Sequence, residues 1–471
     1  MSNKNIFTDK LHVINIGTKN FGEGLREQGV KVATINWRPP VDGNLLRMMR
    51  RCDEVGLTAK IEDANKHVLE SMLTSDPIWI GMRPAIEVLP GMKENYILHS
   101  GPPRAFSDLC RLHHKGVIGG VLYEGWAASE EEAIHLLESG KVELHSCNDF
   151  ATVGAGAGIV TPSMPVNICR DTRTGQEGFC LPFEGRTGLG VWGVYNEEVK
   201  NNLKVITEVF SPAVNQVLAE NGGISIKNII ARSFQMNDEI HTRQTAAGLI
   251  LLSEMAPLLL KSNLDRETVS VCIEMLSGSE RWFHPLGMAS AMCTLRGIKG
   301  TEYSTIVTAI ASGGVETGLK VAAMGEEWFT APSPHLHGKF FTTKWGPDDA
   351  SPYCGDSTIT EVVGMGAFAG AAAPAVLRLR GGTCKDAIAQ SEEMKAICIG
   401  TNYNYPIPLL EFTGPPIGID IRKVIETGIT PVCHGGIISK EGGQIGAGIA
   451  RFPIQVYIKA MYAFLSKYGI K

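Results

Sequence analysis

Within six residues the segment Asp238-Glu239-Ile240-His241-Thr242-Arg243 gathers carboxylates, an imidazole and a guanidinium. Placed on a helix, Asp238 and His241 stand three apart and Glu239 and Arg243 four apart, so each pair shares a face. An aspartate that orients a histidine suits general acid–base work or the polarising of a carbonyl. A guanidinium clasps a carboxylate or phosphate through two parallel hydrogen bonds. The plain alternative is a salt-bridged helix surface, and spacing alone favours it.

Three further segments have the composition of anion sites. His99-Ser100-Gly101-Pro102-Pro103 falls where a strand is expected to end and a helix to begin, the edge at which α/β sheets bind ligands. Glu124 of Glu124-Gly125-Trp126 is expected to close the next strand at that same edge; a tight turn with a solvated histidine is the alternative. In Gly355-Asp356-Ser357-Thr358-Ile359-Thr360-Glu361, Thr358 and Glu361 have capping-box spacing, so the segment predicts a helix start whose hydroxyls and amides cradle a phosphate, or simply a well-capped helix. Toward the C-terminus, Thr427–Pro431, His434-Gly435-Gly436 and Gly443-Gln444-Ile445-Gly446-Ala447-Gly448 read as glycine-dense loops able to form a nest of amides. Asp420 fits a helix N-cap.

Other patterns are set aside. Gly154-x-Gly156 and Gly446-x-Gly448 lack the strand–turn–helix setting and later acidic residue of a dinucleotide fingerprint. Asp171-Thr172-Arg173-Thr174 resembles the phosphate motif of transcarbamylases, but it sits in a hairpin turn, and His284-Pro285-Leu286-Gly287 is a poor match to their companion motif. His335-x-His337 has no neighbouring carboxylates. Neither a metal nor a cofactor is expected.

The elements that must position these residues point to an α/β and α+β, multidomain chain. Residues 11–38 predict a Rossmann-like β-α-β unit closed by Pro39-Pro40, with Gly17 and Gly22 but no G-x-G-x-x-G. A helical linker to about 75 follows. An α/β domain over 76–194 includes YILHS, GVIGGVLYEG and KVELHSC as strands; 195–298 forms a helical subdomain, with helical spacing kept from Ile224 to Leu260; 299–471 is a glycine-rich α/β domain ending in a helix from about Gln455 to Lys467. Val362 to Leu377 is uncharged but too short for a membrane span of about 20 apolar residues, and predicts a buried helix or loop. The 53 glycines are about 11% of the 471 residues, above the usual ~7%, and imply many sites of close approach. Lys+Arg number 44 against 49 Asp+Glu, a net charge of −5, which argues against nucleic-acid binding. Eleven scattered cysteines without a CxxC, and a start unlike a secretory leader, fit reduced thiols and a cytoplasmic location.

LHSGPP (98–103), LYEGWA (122–127), MNDEIHTRQ (236–244), GEEWFTAP (325–332), GDSTITE (355–361), GIDIRKVIETGITP (418–431) and GQIGAG (443–448) together resemble the AllG-type (YlbE family) subunit of bacterial oxamate carbamoyltransferase, over about residues 60–471. The VINIG…WRPP pattern of the first fifty or so residues resembles the tail of the FdrA-type companion. The resemblance implies a heteromeric complex with FdrA-type and AllH-type subunits, acting in anaerobic allantoin breakdown. Its reaction would interconvert oxalurate, or a related ureido acid, plus phosphate with oxamate plus carbamoyl phosphate.

On that reading His241 is the polariser or acid–base group, Asp238 orients it, and Arg243 holds the carboxylate or phosphate. Gly355, Asp356, Ser357, Thr358, Gln444 and Gly446 supply anion cradles, and His99, Gly101 and Glu124 line the cleft. Self-association is a further partner option. The alternatives are a scaffold subunit whose chemistry lies on a partner, and a nucleotide- or CoA-dependent ligase-like enzyme.

Overall fold

The computed structural model describes residues 11–16, 19–35, 41–185, 187–378 and 382–471. It is a mixed α/β structure of several small sheets rather than one large one. Strands His12–Ile16 and Lys31–Ile35 pair in parallel around helix Lys19–Glu27, as the β-α-β pattern predicts. Gly17 and the closing Pro39-Pro40 lie outside the described residues. Helices Gly43–Glu54 and Leu57–Thr74 then lead into a five-stranded sheet whose long members, Pro77–Pro84 and Pro165–Asp171, pair antiparallel.

Strands Tyr96–His99 and Glu143–Ser146 form a separate parallel pair. Six helices, from Glu197–Val205 to Phe283–Arg296, occupy the middle of the chain. A four-stranded sheet centred on Val307–Gly313 and Glu316–Val321 follows, then a three-stranded sheet built on the hairpin Val432–Ile438 and Gln444–Arg451. Helix Ile454–Lys467 closes the chain. The largest apolar core runs from Leu45 to Ile470, joining the central helices to both later sheets. A second core fills the region of Tyr96–His99 and borrows Cys354 and Ile438 from the C-terminal half. Among the described residues no helix is long and apolar enough to cross a membrane.

Four local expectations are corrected. GVIGGVLYEG is not a strand: Arg111–Tyr123 is a helix, and Gly116 lies inside it. The β-branched run mimics a buried strand, but its glycines make one helix face flat. A Cβ on Gly116 would sit 2.6 Å from Ile159 Cγ1, and one on Gly119 2.7 Å from Leu189 Cδ1. Asp238–Arg243 is not helical either. It is a loop between helices Ile226–Phe234 and Thr245–Lys261, with Asn237 and Ile240 both at φ 72°, so the same-face argument for its pairs fails.

Thr358 makes no side-chain cap to helix Ile359–Val362, whose single turn is too short to act as an anion site. Residues 444–448 are strand, not nest: Gly446 and Gly448 let strand His337–Phe340 approach, since a Cβ on either would lie 2.5 Å from a carbonyl oxygen of that strand. Asp420 does cap its helix, accepting from the Arg422 amide at 2.9 Å. The stretch Val362 to Leu377 is buried apart from Pro374 and Ala375, as its composition predicts, and includes the 3-10 segment Gly366–Ala372.

Candidate active site

The loop at 238–243 exists because Glu239 replaces the hydrogen bonds a helix would have made. Its Oε1 accepts from the amides of His241, Thr242 and Arg243, at 3.2 Å for His241 and 2.7 Å for Arg243. Its Oε2 lies 3.1 Å from His434 Nδ1. Gln390 Nε2 donates to His434 Nε2 at 3.0 Å, which leaves Nδ1–H to point at Glu239. Burial works to raise the Glu239 pKa, but the His434 hydrogen bond, with the charge of nearby His241, outweighs it, and the carboxyl is held below its usual range.

This anchored loop aims His241 at Glu361, 120 residues away: Nδ1 lies 2.8 Å from Oε1 and 2.9 Å from Oε2. Glu361 is fully buried and its acceptor capacity is used: Ala367 N donates at 3.0 Å, His434 N at 3.2 Å and Thr360 Oγ1 at 2.9 Å. On its other side His241 Nε2 is 3.0 Å from Ser357 Oγ, which also meets the Tyr353 hydroxyl at 3.1 Å. Burial disfavours the imidazolium, yet the Glu361 charge and hydrogen bond, with Glu239 behind, leave the His241 pKa raised. A hydroxyl, an imidazole and a carboxylate thus stand in line, the geometry used for proton relay and for nucleophile activation.

His241 and Ser357 line a cleft with about 100 Å³ of water-accessible space, continuous in its lining with a wider groove of about 800 Å³ through Phe183, Trp192, Arg281 and Gln444. Apolar walls come from Leu181, Phe183, Trp192 and Met288, and peptide edges from Gly156, Gly190, Gly435 and Gly436. Arg281 brings a guanidinium to the cleft and donates to Gln444 Oε1 at 2.8 Å. His284 stacks beside His241, ring centroids 5.4 Å apart, with no hydrogen-bond partner on its buried Nε2. Burial, then the neighbouring His241 and Arg281 charges, push its pKa well below the ordinary histidine value, so the cleft holds a neutral imidazole beside one that favours its proton.

Of the residues given site roles from the sequence, His241, Ser357 and Gln444 reach this cleft, and Gly435 and Gly436 of the glycine-dense segments line it as well. Asp238 does not orient His241. Its Oδ2 accepts from Ala247 N at 2.8 Å, and its Oδ1 faces Arg243 Nε at 3.6 Å. Burial raises the Asp238 pKa to about 6. Arg243 also donates to Asn237 O at 2.9 Å and is not part of the cleft wall.

Gly355, Asp356, Thr358 and Gly101 are brought together behind the cleft rather than in it. The Asp356 carboxylate accepts from Gly101 N at 2.7 Å and Gly154 N at 3.3 Å, tying two distant loops to the turn that presents Ser357. Burial pushes the Asp356 pKa up to about 7, against those two amides. Thr358 Oγ1 bonds the Tyr353 hydroxyl at 2.9 Å. His99 is buried away from the cleft, its Nδ1 2.8 Å from Ser100 O. Burial and the nearby His113 lower its pKa to about 3. Glu124 caps the far end of helix Arg111–Tyr123 and accepts from Ser163 N and Oγ, and Gly446 sits in its strand. His335 and His337 are exposed.

Glu361, Arg281 and His284 were missed as site residues. In the sequence Glu361 reads as a capping-box partner, and His284-Pro285 as a poor match to the transcarbamylase companion motif. Nothing in local spacing joins any of them to His241.

The sequence profile of the family described as "AllG: Oxamate carbamoyltransferase subunit AllG" matches residues 142–357, a span that includes His241 and Ser357. The chain is 34% identical to "Uncharacterized protein YahG" of Escherichia coli (strain K12), over 99% of this chain and 100% of that one. It is also 34% identical to "Oxamate carbamoyltransferase subunit AllG" of the same organism, over 87% of this chain and 99% of that one. Among solved structures it is similar to a crystal structure of a conserved protein of unknown function from Enterococcus faecalis V583, with a TM-score of 0.85, 34% identity, and coverage of 88% of this chain and 99% of that chain. At 34% identity over 87% of its own length and 99% of that subunit's, the chain belongs to the AllG family of oxamate carbamoyltransferase subunits.

Proposed function

We propose that this chain carries a carbamoyl-transfer site and interconverts a ureido acid of the oxalurate type plus phosphate with oxamate plus carbamoyl phosphate, working with companion subunits. The observation that carries the reading is the buried Ser357–His241–Glu361 line on the wall of a cleft that also holds Arg281. In the phosphorolysis direction a phosphate oxygen attacks the carbamoyl carbon, and the bond from that carbon to the oxamate nitrogen breaks. The departing nitrogen needs a proton. His241, whose protonated form Glu361 favours, supplies it through the Ser357 hydroxyl and recovers it in the reverse direction.

Arg281 holds the substrate carboxylate, a charge-assisted pairing. His284, kept neutral, donates to the carbamoyl oxygen as charge develops there, the kind of stabilisation that dominates acyl transfer. The companions expected are FdrA-type and AllH-type subunits, in ureide catabolism in the cytoplasm.

The same line of residues also fits a covalent route, because the 3.0 Å contact lets His241 activate Ser357 as nucleophile. One experiment tests both. The chain, reconstituted with its companions, is mixed with oxalurate with and without phosphate. Phosphate-dependent carbamoyl phosphate that disappears in His241→Ala supports the site. A burst of oxamate without phosphate selects the covalent route. Normal turnover by His241→Ala in an assembled complex moves the chemistry to a partner subunit.

A further inference from the structure

Behind the cleft, three side chains from separate elements converge. Cys110 precedes helix Arg111–Tyr123, His113 lies in its first turn, and Cys354 begins the two-residue strand Cys354–Gly355 of the sheet that includes Val307–Gly313. Their ligand atoms all fall within 4.8 Å of one another. His113 Nε2 is 3.4 Å from Cys354 Sγ and 2.9 Å from Ser100 Oγ, and Ser100 Oγ is 3.7 Å from Cys354 Sγ. His113 and Cys354 are buried, and Cys110 is only partly exposed. Gly314 leaves Cys110 its space, since a Cβ there would sit 2.7 Å from Cys110 Sγ.

We propose that Cys110, His113 and Cys354 bind one Zn²⁺, with Ser100 Oγ at the fourth corner. Tetrahedral zinc, with bonds of about 2.3 Å to sulfur and about 2.0–2.1 Å to nitrogen, places sulfur and nitrogen about 3.5 Å apart and two sulfurs about 3.8 Å apart. The Cys354–His113 separation already matches. Closing Cys110 onto the others needs only a side-chain adjustment at a partly exposed position. Two thiolates and an imidazole select a soft or borderline ion over calcium or magnesium.

Binding releases the two thiol protons and leaves the His113 Nε2 lone pair on the metal, its proton residing on Nδ1. The ion would clamp the helix start to strand Cys354–Gly355, three residues before Ser357. The inference does not depend on the reaction proposed above, because its test reads metal and not turnover.

The full-length chain, loaded with Zn²⁺ and dialysed against metal-free buffer, is expected to retain one zinc per chain by mass spectrometry. Loading Co²⁺ instead is expected to give a sulfur-to-cobalt charge-transfer absorption. Cys110→Ser, at the partly exposed position where folding is least at risk, should weaken retention at least about 10-fold and diminish that absorption. Cys110→Ser/Cys354→Ser should abolish both. In the wild type, zinc should also protect Cys110 from alkylation, mapped by peptide mass. Zinc absent from the loaded wild type, or held equally by Cys110→Ser, overturns the proposal, as does a Cys110–Cys354 disulfide as the purified resting state.

Discussion

His241 Nδ1 lies 2.8 Å from Glu361 Oε1, and both side chains are buried. An imidazole facing a carboxylate in a low-dielectric interior keeps its proton to higher pH than it would in water. Replacement of Glu361 by Gln removes that charge while leaving an acceptor oxygen. The expected result is a turnover loss of about 100-fold, with the pH–rate limb assigned to His241 displaced toward acid, because the neutral amide no longer favours the imidazolium. Steady-state rates across pH in the assembled complex measure both. An unmoved limb would separate His241 from the titration.

Arg281 and Arg243 offer a contrast within one protein. Arg281 lines the cleft, whereas Arg243 pairs with Asp238 outside it. A hydrogen bond to a charged group contributes about 1.5–3 kcal/mol, so Arg281→Ala should raise KM for the ureido acid by roughly 10- to 100-fold. Arg243→Ala should leave it nearly unchanged, since Arg243 lies outside the cleft wall and engages Asn237 O and Asp238 within its own loop. Equal effects would remove Arg281 as the carboxylate anchor.

Glu184 gives a stability prediction with a definite sign. Burial raises its pKa from the usual carboxylate range to about 7, against the amides of Gly190 and Val191. The folded chain therefore binds a proton that the unfolded chain has lost above about pH 4.3. Stability from this group is fully present below that pH and falls as pH rises through about 7. Urea midpoints of wild type and Glu184→Gln, compared from pH 4 to 8, should diverge, with the variant showing the shallower decline. Parallel curves would mean that folding leaves the pKa of this carboxyl unshifted.

Gly116 tests the flat helix face. A methyl group there would press on Ile159 Cγ1 at 2.6 Å. Overpacking of a filled core costs about 1–3 kcal/mol, more than the gain of about 1 kcal/mol in helix propensity that alanine brings over glycine. Gly116→Ala is expected to lower the unfolding temperature. An increase would mean that Ile159 yields freely.

Much of the architecture was readable from pattern. The β-α-β start, strand Tyr96–His99, most of the helical middle and the closing helix form where periodicity places them, although the run from Ile224 to Leu260 is broken by the loop at 235–244. What failed were segments where glycine and long-range partners override local preference. GVIGGV has strand-like residues, but its glycines serve helix packing. Asp238–Arg243 has helix-like spacing, but Glu239 satisfies the loop's amides and His434 fixes Glu239 from 195 residues away. His241, Ser357 and Gln444, distinctive in type and neighbours, do line the cleft. Glu361 stood in plain view in GDSTITE, yet its partner could be assigned only once the chain had folded, and the capping-box spacing supplied a nearer and incorrect one.

The Asp356 carboxylate has a mechanical consequence. Its two oxygens act as a keystone, bracing the loops at Gly101 and Gly154 from a position adjoining Ser357. Fraying of either loop would slacken the turn that aims the serine, so precision at the cleft is borrowed from backbone rigidity several ångströms behind it. The amides of Gly101 and Gly154 should accordingly be among the last to exchange with heavy water.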